Sequence, residues 1–116
     1  MPKQPDIYLE IAIAALRKTA EFMGERSLEQ YLGDEFCQAA IERELEIAGD
    51  ALSQLRKYWP DIFEKIPEGA TVIAFRNVLA HGYATLNHRI VCSAATQKAP
   101  ALRFALEKII ADFPAG

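Results

Sequence analysis

Ile41-Glu42-Arg43-Glu44-Leu45-Glu46-Ile47-Ala48-Gly49-Asp50-Ala51-Leu52-Ser53-Gln54-Leu55 is the stretch that decides the fold. Ile41, Leu45, Ala48, Leu52 and Leu55 recur at alternating spacings of four and three, the seam of a helix packed in a bundle. Glu42, Arg43, Glu44 and Glu46 fill the other faces. Asp34 is the expected N-cap, and Trp59-Pro60 stops the helix after Tyr58, because the residue before a proline avoids helical geometry. Gly49 inside this helix costs about 1 kcal/mol relative to alanine. A close approach by another helix, at a dimer interface or beneath an active site, would account for it.

The same seam recurs upstream. Pro5-Asp6 opens a helix with Asp6 as the expected N-cap and the acid Glu10 early in it. Leu9, Ile13, Leu16, Ala20 and Met23 form its seam, and Ile7, Ile11 and Ala15 widen it, so two neighbours are expected. Gly24 ends this helix. Ser27-Leu28-Glu29-Gln30 has capping-box form and starts a short turn closed at Gly33. Downstream, Asp61 to Ile66 reads as another short turn before the breaker Pro67-Glu68-Gly69. Thr71 is the expected cap of a helix whose Val72, Phe75, Val78 and Leu79 form a buried stripe. A loop then runs to Asn87, the expected N-cap of the last segment. Pro100 gives that segment either a kink or two abutting helices. Leu102, Ala105, Leu106, Ile109 and Ile110 supply its apolar face, and Phe113-Pro114 ends it. No period-two strand or internal repeat occurs. The expected fold is all-α, an up-and-down bundle of four to five helices, with residues 1–116 as a single domain.

Composition narrows the function. At 116 residues the chain buries a modest core, and half of its residues are apolar. No apolar run approaches the roughly 18 residues that span a bilayer, and the first residues lack signal-peptide form. Cys37 and Cys92 have no metal-type spacing and read as reduced, buried thiols, the pattern of a cytoplasmic protein. With two Cys and two His, neither a metal site nor a bound cofactor is expected. Net charge is −3, which argues against a generic nucleic-acid coat. It is unevenly spread: residues 1–70 carry −6 and residues 71–116 carry +3. That split permits a local anion site on an acidic body, and equally a solvated surface.

The positive third contains Arg76-Asn77-Val78-Leu79-Ala80-His81-Gly82-Tyr83. Arg76 is a permanent planar cation, and His81 can gain and lose a proton near neutral pH. Asn77 precedes His81 by four residues and shares its helix face. Arg76 precedes it by five, roughly 140° around a straight helix. Gly82 is expected to end the helix as a left-handed cap, freeing the His81 ring to turn back toward Arg76 and Asn77, with Tyr83 exposed beyond it. Taken alone, a histidine before such a glycine is most often a C-terminal cap favoured by the helix dipole.

Arginine, a polar residue, three more residues, histidine, one residue and tyrosine together resemble the HEPN superfamily signature, in particular that of the HepT-like toxins of toxin–antitoxin pairs. Gln38-Ala39-Ala40-Ile41-Glu42-Arg43 and Ile47-Ala48-Gly49-Asp50-Ala51 lie upstream as in that family, and the resemblance spans roughly residues 6 to 113. Asp50 departs from it, since the family more often carries glutamate there. The resemblance implies a HEPN-like helical domain, a homodimer with the motif at its cleft, and metal-independent endoribonuclease activity on RNA. It further implies a minimal nucleotidyltransferase antitoxin that transfers AMP to the motif tyrosine, here Tyr83, as acceptor rather than catalyst. In such chemistry His81 serves as base or acid, because an unperturbed imidazole titrates near about 6.5. Arg76 matches phosphate geometry with paired hydrogen bonds. Asn77 either holds the histidine tautomer or binds phosphate. Asp50 either orients Arg76 or is merely solvated. One imidazole cannot be base and acid at once, whereas two motifs across a two-fold axis can. His88 reads as a first-turn surface residue. The alternative function is a non-catalytic helical dimer that binds a nucleotide or a nucleotidyltransferase, favoured by the acidic net charge.

Overall fold

The structure, a computed structural model, describes residues 4–82 and 86–113. Helix α1 spans Pro5–Met23, α2 Leu28–Leu32, α3 Glu35–Tyr58, α4 Pro60–Phe63 and α5 Gly69–His81. The chain then continues through α6 (His88–Ser93), a π-helical turn over Ala94–Lys98 and α7 (Ala99–Ala111). Among the described residues there is no strand, and the architecture is the expected all-α bundle. None of these helices is long and apolar enough to cross a membrane.

Local chemistry sets most boundaries. The Asp34 side chain accepts from the Cys37 N–H at 3.0 Å and caps α3. Ser27 and Gln30 form the expected capping box at α2. Asn87 accepts from Arg89 N–H at 2.9 Å and Ile90 N–H at 3.3 Å, and so starts α6. Gly24 leaves α1 at φ 55°, a conformation glycine tolerates best.

Other expectations need correction. Asp6 does not cap α1: Pro5 takes the first helical position, where its missing N–H costs nothing, which moves the cap to Gln4 and leaves Asp6 in the first turn. Ala20 faces solvent, and the seam passes instead through Thr19, fully buried with its hydroxyl donating to the Ala15 carbonyl at 2.9 Å. Thr71 does not cap α5, which starts two residues earlier, after Glu68 in the left-handed region at φ 56°. Gly69 follows immediately against the Phe63 ring: a Cβ there would lie 2.8 Å from two ring carbons. At Pro100 the expectation holds in its second form, because α6 and α7 abut through the π-helical turn. The π turn before it widens the helix, so Ala99 N–H reaches the Ala94 carbonyl five residues back and Pro100 falls in the first turn of α7. Pro114 lies outside the described residues.

Helix α1 packs against α3 and α7, as its two-sided seam implies, while α5 packs on α3, and α2 sits over α3 and α6. Leu9, Ile41, Leu52, Leu55, Val91 and Leu106 are fully buried. Each contributes about 1.5–3 kcal/mol relative to exposure. Helix α5 is covered on one side only. Ile73 and Leu79 are buried, Val72 and Phe75 half-buried, and Val78 is 46% exposed, so the expected stripe is only partly covered. Between α5 and the α6–α7 arm lies an apolar groove of about 560 Å³, lined by Leu45, Val72, Phe75, Ile90 and Leu102 among others.

Candidate active site

Arg76 stands where α5 crosses α3 most closely. A Cβ on Gly49 would lie 2.7 Å from the Arg76 Cγ and collide with the Arg76 Cβ. The glycine is therefore the floor on which the arginine stem rests. The next residue along α3, Asp50, places Oδ1 2.5 Å from the Arg76 Nε. That nitrogen is screened from solvent, and its N–H axis is not aligned for a hydrogen bond, so the contact is an ion pair. The Arg76 side chain is 25% exposed and Asp50 50%, so the pair contributes little to stability, within about 1 kcal/mol. What it supplies is direction: one edge of the guanidinium is turned to the acid, and Nη1 donates to the Asn77 Oδ1 at 3.2 Å.

His81 is the last residue of α5 and is exposed; among the described residues its ring has no hydrogen-bond or ion-pair partner. Gly82 donates its N–H to the Val78 carbonyl at 2.7 Å with φ −108° and ψ 36°. The expected left-handed cap is not formed. A negative-φ backbone outside the helical region ends the helix there instead. Asn77 is joined to Arg76 rather than to His81. Tyr83 lies outside the described residues.

His88 is not the solvated surface residue that its position at the start of α6 suggests. It is half-buried, with Nδ1 3.5 Å from the Glu42 Oε2 on α3. Burial pushes the Glu42 carboxyl above its ordinary range; the nearby imidazole opposes that shift and Glu46 adds to it. The available signal is the seven-residue spacing from Glu42 to Gly49, which puts both on one stripe of α3. Beneath lies Tyr31, fully buried, whose hydroxyl burial pushes well above its usual value.

The chain matches the model of the Ribonuclease HepT-like family over residues 12–109, a span that takes in Asp50, Arg76, Asn77, His81 and Tyr83. The chain belongs to the HepT-like ribonuclease family. Its relatives include the "Putative RNase" of Caldanaerobacter subterraneus subsp. tengcongensis, 30% identical over 112 residues, covering 93% of this chain and 96% of that one. The "Probable ribonuclease HepT" of Thermococcus cleftensis is 28% identical over 102 residues, covering 88% and 92%. A "Putative RNase" of Methanocaldococcus jannaschii is 25% identical over 114 residues, covering 97% and 93%. No solved structure gives a significant match.

Proposed function

We propose that this chain is a metal-independent endoribonuclease, the toxin of a toxin–antitoxin pair. The observation that carries the reading is the support of Arg76. A helix-interior glycine and an acid on the next residue hold its guanidinium five residues before the exposed imidazole that ends α5. Gly49 admits the Arg76 stem at the helix crossing, where a Cβ would collide with it, and Asp50 ion-pairs with the guanidinium. Arg76 neutralises the phosphate oxygens as charge builds on them, Asn77 steadies the guanidinium, and His81 moves a proton.

The uncovered apolar surface on α5, α6 and α7 (Val78, Ile90 and Phe104, 46%, 57% and 64% exposed) supports a homodimer. Control falls to Tyr83: a minimal nucleotidyltransferase would place AMP there, and the added phosphate would compete with the RNA phosphate. The test is cleavage of single-stranded RNA in EDTA. The wild type is expected to cleave, His81→Ala to lose activity with its helical circular dichroism intact, and Arg76→Lys to recover little because the paired geometry is lost. Transferase and ATP are expected to silence the wild type and spare Tyr83→Phe. Folded wild type that binds nucleotide or transferase but cleaves no RNA would instead establish the non-catalytic reading.

A further inference from the structure

Helix α5 stands between the candidate site and the apolar groove on its other side. At about 100° per residue, Asn77 and His81 lie roughly 100–140° from Arg76 in one direction around the helix. Thr71, Val72 and Phe75 lie roughly 40–140° from it in the other, and these three line the groove. Leu45 of α3 and Leu102 of α7 face them across a volume of about 560 Å³. Sites for small molecules have volumes of about 300–1,000 Å³, with mostly apolar walls and a few polar groups that fix the ligand's orientation. The groove matches that description in size and in walls, and its polar groups are gathered at one end.

Two unusual pieces of backbone supply those groups. Glu68 precedes α5 at φ 56°, in the left-handed region that residues other than glycine seldom occupy. Opposite it, the π-helical turn over Ala94–Lys98 brings Gln97 and Lys98 to the lip. Turns of this kind recur at functional sites. The Lys98 Nζ lies 3.9 Å from the Glu68 Oε2, too far for a hydrogen bond, and both side chains are largely exposed. Lys98 therefore keeps its N–H donors for another acceptor, and the Gln97 amide and the Thr71 hydroxyl add neutral donors. Among the described residues that line the groove, Glu68 alone is acidic. From Glu68 to Phe75 is roughly 10 Å along α5, so aliphatic walls lead away from a donor-rich end.

We propose that the groove binds a medium-chain carboxylate, a linear aliphatic chain with an anionic head. The chain lies along Leu45, Val72 and Leu102, out of water, and each methylene buried there adds about two- to fourfold in affinity. The carboxylate sits at the lip, where Lys98 turns from Glu68 toward it and Gln97 donates beside it. Charge selects this head group. A quaternary ammonium would have Glu68 alone to pair with and Lys98 to repel it, and a neutral alcohol would bury the same chain without the charge-assisted contact. Val72 and Phe75 are half-buried in the free protein, so occupancy completes the cover of α5 on this side and stabilises the fold by mass action. The site is separate from Arg76 and His81, and it does not depend on the ribonuclease reading.

The test titrates decanoate, below the concentration at which it forms micelles, into protein carrying labelled methyl groups. The Leu45, Val72 and Leu102 methyl resonances are followed by NMR. Saturable shifts at these three residues are expected, with octanoate roughly tenfold weaker for its two missing methylenes. Lys98→Gln, at an exposed position, is expected to weaken decanoate about tenfold and to leave decanol unchanged. Ala101→Trp, which fills the groove from another exposed lining position, is expected to abolish the shifts while helical circular dichroism is kept. Decyltrimethylammonium that binds as tightly as decanoate overturns the proposal. So does Lys98→Gln that binds decanoate like the wild type, a result that serves even if Ala101→Trp fails to fold. Absence of saturable shifts overturns it outright. Methyl shifts that follow protein concentration and ignore decanoate would show a second copy of the chain in the groove, and overturn it as well.

Discussion

Replacing Gly49 by alanine sets two effects of opposite sign against each other. In an exposed helix the change would stabilise by about 1 kcal/mol, because glycine carries more conformational freedom into the unfolded chain. Here the new methyl would lie 2.7 Å from the Arg76 Cγ and nearer still to its Cβ, with the Arg76 Cα at 3.7 Å. Carbon atoms in contact sit about 3.5–4.0 Å apart, so a separation on the order of 1 Å must be opened. The Cγ can swing by rotation about χ1; the Cβ is fixed to the α5 backbone and cannot. Helix α5 must therefore move away from α3, and overpacking of this kind costs about 1–3 kcal/mol. The net expectation is a loss of about 0–2 kcal/mol, a fall of a few degrees in Tm for a domain of this size. Activity should suffer more, because a displacement near 1 Å separates Arg76 from Asp50 and costs about 10²-fold in rate. Thermal unfolding by circular dichroism and RNA cleavage in EDTA measure the two losses. Arg76→Gly removes both offending carbons, so Gly49→Ala in that background should become stabilising. A Gly49→Ala protein with raised Tm and undiminished cleavage would refute the reasoning.

Two further outcomes are expected. The Asp34 carboxyl is held below its ordinary range, chiefly by the Cys37 N–H that it caps and then by Arg26, whose Nε lies 3.1 Å away. A carboxyl depressed by folding contributes stability that is present above its unfolded pKa and lost as pH falls through its folded one, so Asp34→Asn should show a shallower acid decline in Tm than the wild type; an identical decline would mean the cap carries no charge-dependent stability. RNA affinity should depend only weakly on salt, with a log–log slope of roughly −1 to −2 at about −0.7 per phosphate neutralised on a single strand. A slope steeper than about −4 would point to an extended basic track instead.

The scaffold is legible in the sequence where its determinants are local. The α3 seam, the Asp34 and Asn87 caps and the Ser27–Gln30 box depend on residues within four positions of one another, and all stand as expected. Departures mark places where distant residues decide. Helix α5 starts at Gly69 because the Phe63 ring presses on it and Glu68 turns the chain, and neither fact is written near Thr71. Periodicity marks Val78 as apolar, but no partner helix covers it, so an apolar stripe becomes a half-open face. His88 looks ordinary among its sequence neighbours, while its partner Glu42 is brought to it by the fold. Gly49 is the most informative single residue of the chain, since a glycine inside a regular seam has to be explained by something outside its own helix.

The charge split reads differently once folded. The acidic first part and the basic last part of the chain do not form two opposed surfaces; they meet as pairs across elements. Asp50 faces Arg76, Glu42 faces His88, and Glu68 lies 3.9 Å from the Lys98 Nζ, each joining an earlier acid to a later base. Arg103 is held by Glu107 on its own helix at 3.6 Å. Long-range steering of a polyanion by this face is therefore weak, because the fields of paired charges cancel beyond a few ångströms. Local order is what the pairing supplies. Arg76 and His88 are each held at a defined place beside an acid of α3. An acidic protein can act on RNA in this way, provided that its few cations are directed by neighbours instead of being left to solvent.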